Sequence, residues 1–261
     1  MHLWTAVVLG VVQGVTEFLP ISSSGHLVLA QKLLGVHDAL SFDILLHAGT
    51  LIAVCAAFAP ELVTVLRNPF GKLSRLIMTA AIPTAVIGLL FRDVFERMFS
   101  SGSTLGLEFI LSGTILALST LAANQSKQLE ETSLKDAAII GLLQGVAIMP
   151  AISRSGLTIA GALWRGLDRE FAAKLSFLVS IPVVLGATVF EWAGAPSGGF
   201  MATPAEIAGF IAAAVSGYGS AKYMVKKVAR GQLGIFVWYL WILGAIVLYN
   251  QLFLHGFVAA I

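Results

Sequence analysis

Ten apolar segments, separated by short polar stretches, make up most of the chain. They lie at about 3–19, 25–35, 42–59, 76–91, 105–123, 137–149, 156–164, 172–190, 205–221 and 235–254. A helix needs about 20 predominantly apolar residues to cross a bilayer, with about 17 as the usual lower limit. We therefore predict an all-α polytopic membrane protein with about ten helices, six of which are full spans.

Four of the segments do not fit as separate spans. Segments 25–35, 137–149 and 156–164 are too short, and segment 3–19 runs directly into a break at Pro20. We pair 3–19 with 25–35, and 137–149 with 156–164, as re-entrant helix–break–helix units. Non-helical backbone at membrane depth is tolerated only where protein or a water-filled cavity satisfies it. The two breaks are therefore predicted to share one buried polar site.

The two breaks also resemble each other in sequence. A shift of 131 residues aligns Gln13-Gly14-Val15 with Gln144-Gly145-Val146, and Ser22, Ser24 and Gly25 with Ser153, Ser155 and Gly156. This predicts one membrane domain built from repeat 1 (about 1–124), a linker (125–136) and repeat 2 (about 137–261). Each half would cross the membrane three times, so the second half is inverted. Inverted repeats place binding sites at the repeat interface, near the bilayer midplane.

Composition and charge support the membrane class. The chain is 57% hydrophobic and 11% charged, whereas soluble domains are about 25% charged. A net charge of +2 is too small for a nucleic-acid surface, so no nucleic-acid partner is expected. The single cysteine, Cys55, excludes an intramolecular disulfide.

The basic residues predict an orientation. The loops at 60–75, 125–136, 165–174 and 222–231 hold 12 of the 16 lysines and arginines. Cytoplasmic loops are enriched in these residues. Both termini are therefore predicted to lie outside, and the first break to open outward.

The first break carries the candidate chemistry. Gln13 and Glu17 are four residues apart, so they share one face of a helix. An ionisable residue inside a span costs roughly 2.5–3.5 kcal/mol, which makes Glu17 a functional-site hypothesis by default. After Pro20 come Ser22, Ser23, Ser24 and His26. Hydroxyls and free N–H groups at a helix start bind anions well.

The second break adds Arg154 between Ser153 and Ser155. The arginine fork matches phosphate geometry. Together the two breaks suit phosphoryl transfer, which is mostly positioning and charge stabilisation, often with a divalent cation. Glu17 and Gln13 offer oxygen ligands for Mg²⁺ or Ca²⁺. Either Ser23 or His26 could attack the terminal phosphorus.

These residues resemble a known family. QGVTEFLPISSSGH at 13–26 and PAISRSGLT at 150–158 are similar to the two signature motifs of the undecaprenyl-diphosphate phosphatases of the bacitracin-resistance type. The resemblance continues over nearly the whole chain, including DILLHAGTLIAV at 43–54. It implies a plasma-membrane hydrolase with an outward-facing site and a divalent cation. Its substrate would be a C55 polyprenyl diphosphate, whose dephosphorylation recycles the lipid carrier for peptidoglycan and other envelope glycans.

The resemblance also implies residue roles. Glu17 is the essential acid, Gln13 holds the first place of the cation-binding pair, and Arg154 clamps the diphosphate. Ser23 and His26 are the nucleophile candidates. The phosphate pocket would be lined by Ser22, Ser24, Ser153, Ser155 and Thr158. Gln13 stands where many relatives have a second carboxylate. Ala151 stands where the family usually has glycine, so the second turn is expected to differ in shape.

Some alternatives stay open at this point. A transporter or flippase of a phosphorylated polyprenyl lipid is the rival, because inverted repeats with broken helices are common in transporters. The nucleophile candidates favour the hydrolase. The cation, the lipid chain length, a bacterial or archaeal source, and a monomer or homodimer surrounded by membrane lipids are undetermined. Glu108 is interpreted as interfacial, and Tyr239 as part of an aromatic belt.

Overall fold

A computed structural model describes residues 1–36, 40–194 and 202–254. Its helices are α1 Leu3–Phe18, α2 Ser23–Leu33, α3 Leu40–Ala57, α4 Ala59–Arg67, α5 Lys72–Leu90, α6 Arg92–Ser101, α7 Leu105–Thr120, α8 Leu134–Val146, α9 Arg154–Trp164, α10 Arg169–Gly194, α11 Pro204–Ala229 and α12 Gly234–Tyr249, followed by a π-helical turn Asn250–Leu254. Within these ranges, β-type pairing is limited to one bridge between Lys127 and Leu167. The all-α prediction is confirmed.

The described ranges hold twelve α-helices where about ten were predicted. The two additional helices, α4 and α6, carry charged residues and were assigned to loops by the apolar pattern. None of the α4 residues is buried, and proline stands in its first turn, where a missing N–H is harmless. Helix α6 ends at Gly102 in the left-handed conformation, with φ at 57°. A search for apolar runs does not detect such short surface helices.

Three described helices are long and apolar enough to cross a bilayer: Lys72–Leu90, Arg169–Phe190 and Gly234–Phe253. A fourth span results if α3 and α4, bent by 82° at their junction, are counted together. Helices α1 and α7 are apolar but shorter. The number of six full spans stays a prediction.

The helices recur at the offset seen in the sequence. Helix α9 begins and ends 131 residues after α2. Helices α8, α11 and α12 begin 131, 132 and 129 residues after α1, α5 and α7, and their ends deviate further from the offset. Each repeat packs its first helix on the other repeat, since α1 packs on α11 and α8 packs on α5. The repeat boundaries and the inversion in the membrane stay predictions, and 255–261 lies outside the described residues.

Small residues allow these two helix pairs to approach closely. A side chain at Gly10 would come within 2.9 Å of the Gly209 carbonyl carbon on α11. The corresponding Gly141 on α8 would come within 2.7 Å of the Ala80 carbonyl carbon on α5. Small residues at such crossings are the usual basis of helix association in membranes. The contacts fix α1 and α8, the helices that lead into the two breaks.

The four basic loops meet on one face of the molecule. Lys72 donates to the Glu130 carbonyl at 3.2 Å, and Arg165 pairs with Asp136 at 2.7 Å. Lys174 pairs with Glu61 at 3.7 Å, beside the last turns of α11. This arrangement is the one that the positive-inside rule requires, although the side of the membrane stays a prediction.

Asp136 is the most strongly bound carboxylate on this face. Its side chain is 1% exposed, accepts from the Ser133 N–H and hydroxyl at 3.0 and 2.8 Å, and pairs with Arg165 and Lys127. Burial by itself would raise the pKa of Asp136, but the Ser133 hydrogen bonds and the two cations outweigh it and lower the pKa from 3.8 to about 2. The ionised form therefore stabilises the fold.

Replacing Asp136 with asparagine is expected to lower the free energy of unfolding by about 2 kcal/mol at pH 7. Because the folded pKa is depressed, this contribution is complete above the unfolded value and disappears as the pH falls from about 4 to about 2. Unfolding of the two proteins in detergent at pH 7 and at pH 2.5 measures it. An equal difference at both pH values would contradict the assignment.

Candidate active site

The two breaks are joined by hydrogen bonds in both directions, because serines of each break donate to a carbonyl of the other. Ser24 and Ser22 donate to the Pro150 carbonyl, at 2.5 and 2.9 Å. In return, Ser155 donates to the Leu19 carbonyl at 3.0 Å. Leu19 and Pro150 are related by the 131-residue offset. The serines thus supply donors to the Pro150 carbonyl and a second donor to the Leu19 carbonyl, which also accepts from the Ile21 N–H at 2.8 Å. Broken backbone inside a membrane needs such internal partners.

Each break also caps the helix that follows it. The Ser22 hydroxyl accepts from the Gly25 N–H at 3.3 Å, and the Ser153 hydroxyl accepts from the Gly156 N–H at 3.1 Å. The two turns differ from each other in shape, whereas the expected difference between the second turn and that of the relatives stays a prediction. Ser22 is left-handed with φ at 68°, its counterpart Ser153 is extended at −71°, and Ala151 does not have a positive φ. A strained non-glycine residue of this kind costs about 1–3 kcal/mol and is typical of functional sites.

Glu17 is the centre to which both breaks contribute. Its side chain is 5% exposed. One carboxylate oxygen accepts from the Ser23 hydroxyl at 2.6 Å and from the Gln13 amide at 3.0 Å. The other oxygen forms an ion pair with Arg154. Because Arg154 is the offset counterpart of Ser23, both half-helices present their first residue to this carboxylate.

His26 lies beside this centre without a described bond to Glu17 or Ser23. Its Nδ1 donates to the Ser22 carbonyl at 2.6 Å, since a carbonyl can only accept. Nε2 is then the acceptor for the Tyr239 hydroxyl, also at 2.6 Å. The Tyr239 ring stacks on the imidazole with centroids 5.6 Å apart. Tyr239 is therefore bound to the site, a role that the aromatic-belt interpretation missed.

Glu108 is a second residue that the sequence interpretation missed. It is 2% exposed, and its carboxylate accepts from the Ala151 N–H at 2.6 Å and from the Thr104 hydroxyl at 2.6 Å. It therefore holds the backbone of the second break. The 131-residue offset relates Glu108 to Tyr239, so both halves supply a residue from this position to their neighbouring break.

The remaining predicted residues divide by exposure. Thr158 is fully buried, donates to the Arg154 carbonyl at 2.8 Å and contacts the Ser176 hydroxyl at 2.5 Å. The hydroxyls of Ser22, Ser153 and Ser155 are likewise buried and used within the breaks. The half-buried members are Ser23, Ser24, His26 and Arg154. Of these four, Ser23 and Arg154 contact the Glu17 carboxylate.

The oxygen donors allow a limited test of the predicted cation. The Gln13 side-chain carbonyl, next to Glu17, is buried without a hydrogen-bond partner in the described structure, as is that of its counterpart Gln144. The described residues form no group of three histidine, cysteine or acidic side chains suited to a metal. Mg²⁺ is often held by one or two protein oxygens with substrate phosphates completing the shell. Glu17 and Gln13 fit a site of this kind, in which the substrate supplies the other ligands, and not a site formed by protein ligands alone.

A family model described as bacitracin resistance protein BacA matches residues 6–246. The chain belongs to this family. The matched stretch includes both breaks, and the resemblance of the two motifs is thereby confirmed.

The relatives match over almost their full length. An undecaprenyl-diphosphatase of Carboxydothermus hydrogenoformans is 50% identical over 257 residues, covering 96% of this chain and 98% of the relative. Undecaprenyl-diphosphatase 3 of Bacillus cereus is 43% identical over 254 residues, with the same coverage. An undecaprenyl-diphosphatase of Halothermothrix orenii is 43% identical over 253 residues, covering 95% and 98%.

Proposed function

We propose that the protein hydrolyses undecaprenyl diphosphate to the monophosphate and inorganic phosphate, and so recycles the lipid carrier for peptidoglycan and other envelope glycans. The observation that carries this is a buried carboxylate, Glu17, bonded at once to a hydroxyl nucleophile and to an arginine. The full-length relatives named undecaprenyl-diphosphatase support the same reaction.

Ser23 is the nucleophile in this proposal. Its hydroxyl already donates to Glu17 at 2.6 Å, the geometry of a nucleophile beside its base. The Ser23 oxygen attacks the terminal phosphorus while Glu17 takes the hydroxyl proton. The bond from phosphorus to the bridging oxygen breaks, and the lipid monophosphate leaves. The alternative nucleophile, His26, has its Nε2 lone pair engaged by Tyr239.

Water completes the reaction. Proton transfer from Glu17 to the departing monophosphate frees the carboxylate to act again as a base. Water then attacks the phosphoserine, Glu17 accepts one water proton, and inorganic phosphate leaves as Ser23 recovers a proton. The same group thus serves both half-reactions, as microscopic reversibility favours.

Arg154 orients the diphosphate. One of its five N–H donors is bonded to Glu17 in the described contacts, which leaves donors for phosphate oxygens. Its position at the first turn of α9 places helix N–H groups beside the same oxygens. Removal of the guanidinium should therefore weaken substrate binding and reduce the stabilisation of the transferred phosphoryl group.

A divalent cation, Mg²⁺ or Ca²⁺, would be held by Glu17, the Gln13 carbonyl and the phosphates, and when bound it neutralises phosphate charge. Ser24, half-buried at the opening, lines the phosphate pocket together with Ser23. The site opens to the outer side of the plasma membrane, a placement supported by the four basic loops on one face.

Phosphate release tests the function. The purified protein in detergent is given undecaprenyl diphosphate, with Mg²⁺, with Ca²⁺ and with a chelator. We expect inorganic phosphate in an amount equal to the monophosphate formed. No release with either cation would overturn the hydrolase. Movement of a fluorescent polyprenyl phosphate across protein-containing vesicles without any hydrolysis would favour the transporter.

Replacing Tyr239 with phenylalanine is expected to reduce kcat about three- to tenfold, because the His26 Nε2 loses one hydrogen bond while the ring stacking stays. Tyr239 is a positioning residue, so its effect should depend on His26. We therefore expect the substitution to have little effect in a His26→Gln background, as a double-mutant cycle measures. Equal losses in both backgrounds would indicate a role unrelated to His26. Tyr249→Phe, in the same helix and away from the breaks, is the matched control.

A further inference from the structure

A cavity of about 410 Å³ lies on the face that carries the basic loops. It is enclosed by the bend between α3 and α4, the start of α10 and the last turns of α11. Its charged lining consists of Glu61, Glu170, Lys174, Lys222, Lys226 and Arg230. The remaining walls are apolar, with Phe58 and Val225 among them.

Aromatic packing separates this cavity from the two breaks. Phe18, next to Glu17, packs edge-on against Phe177 with centroids 5.5 Å apart. Phe177 packs against Phe58 at 5.7 Å, and Phe58 forms a wall of the cavity. All three rings are nearly fully buried. The cavity is thus a separate site and not an extension of the active site.

The charges in the cavity do not balance. Lys174 is held between Glu170 at 2.8 Å and Glu61 at 3.7 Å, so the carboxylates are already engaged. Lys222 lies over the Phe58 ring, 5.5 Å from its centroid. Lys226 and Arg230 have no carboxylate partner among the residues that the structure describes. Four cations and two carboxylates give the lining a net charge of +2.

Basic residues near the C-terminal end of α11 suit the helix dipole, but their spacing also brings like charges close together. Lys222, Lys226 and Arg230 follow at four-residue intervals, so they lie on one face of the helix and its C-terminal end. Like charges at this spacing destabilise a helix by a few tenths of a kcal/mol per pair. Neighbouring Lys227 differs, since it points away and donates to Gln232 at 3.0 Å. A bound anion would remove the repulsion along the face.

The position along α11 indicates the type of anion. The predicted apolar span 205–221, which lies within α11, ends immediately before Lys222. If this stretch crosses the hydrocarbon core, the last two turns of α11 lie at the headgroup level, where basic pockets between helices bind anionic lipid headgroups. The apolar walls suit the glycerol and first acyl carbons of the same molecule.

We infer that this cavity binds the phosphate of an anionic phospholipid, with Lys226 and Arg230 as its principal ligands. Lys222 adds charge at the aromatic wall, and Lys174 is kept in place by its two carboxylates. The site is independent of the proposed hydrolysis, because none of these residues belongs to the breaks.

The test uses the full-length protein in detergent and short-chain (dioctanoyl) phosphatidylglycerol, measured by titration calorimetry. Phosphatidylcholine is the neutral comparison, and inorganic phosphate is the comparison without a lipid. The test variant is Lys226→Gln/Arg230→Gln. The matched control, Arg67→Gln/Lys135→Gln, removes the same charge from exposed residues in other basic loops. Lys226→Arg/Arg230→Lys retains the charge.

Saturable binding of phosphatidylglycerol, at least about tenfold weaker in the test variant and unchanged in the control and charge-retaining variants, is the expected result. Phosphate release from undecaprenyl diphosphate should be unchanged in all of them, which also shows that they fold. Equal affinity for phosphatidylcholine, or equal binding by test and control variants, would overturn the site. Binding of inorganic phosphate as tight as that of phosphatidylglycerol would overturn its assignment to a lipid.

Discussion

Replacing Glu17 with glutamine is expected to lower kcat/KM for undecaprenyl diphosphate by about 10³-fold, within the range for loss of a general base. The amide has nearly the same shape, but it cannot take the Ser23 proton that the carboxylate now accepts at 2.6 Å. It also leaves Arg154 without its anionic partner in a half-buried setting. Both consequences act on the transferred phosphoryl group, so kcat should fall more than KM rises.

The control must separate chemistry from folding, because an unpaired buried cation is destabilising. Glu17→Asp keeps the charge and shortens the reach, and we expect it to retain the fold with intermediate activity. Glu130→Gln removes an exposed carboxylate outside the site and should be silent. Thermal unfolding in detergent is measured for each. If a folded Glu17→Gln protein kept more than a tenth of its kcat/KM, the proposed base would be wrong.

Ser23→Ala is expected to cause a loss of similar size, about 10³-fold or more, because it removes the attacking oxygen. His26→Gln should cost only about tenfold, since the imidazole contacts Ser22 and Tyr239 and not the Glu17 carboxylate. Acid quenching during turnover of a substrate labelled in its terminal phosphate should trap labelled protein. Phosphoserine survives acid, whereas phosphohistidine does not, so the stability of the label identifies the nucleophile.

The matched control is Ser180→Ala, which removes a buried hydroxyl bonded only to its own helix, at the Phe177 carbonyl. It should affect neither activity nor labelling. An acid-labile label that persists in Ser23→Ala and disappears in His26→Gln would assign the nucleophile to His26. The carboxylate of Glu17 would then need a different role.

The sequence alone was sufficient for the class of the protein and for the prediction that the two breaks meet. Long apolar segments indicate helices that are buried in lipid or in the protein. The positions of these helices can therefore be predicted from the local pattern and from the length of each segment. Helix α9, for example, runs from Arg154 to Trp164, where the apolar segment 156–164 was predicted. The two breaks were recognisable because polar residues in apolar helices are costly and because the motif occurs twice. Short helices with charged residues, such as α4, were not predicted, because their pattern of apolar and polar residues does not differ from that of a loop.

The tertiary structure decided which side chains meet. Arg154 pairs with the Glu17 carboxylate although 137 residues separate them in the chain. A local sequence pattern cannot predict a contact between residues so far apart. The tertiary structure also separated Ser23, bonded to Glu17, from His26, bonded to Tyr239, although both stand in one motif. Glu108, expected near a span end, stands in the first turn of α7 and is a buried support of the second break. Sequence pattern predicts whether a residue is buried, but the partner of a buried polar group depends on how distant helices pack.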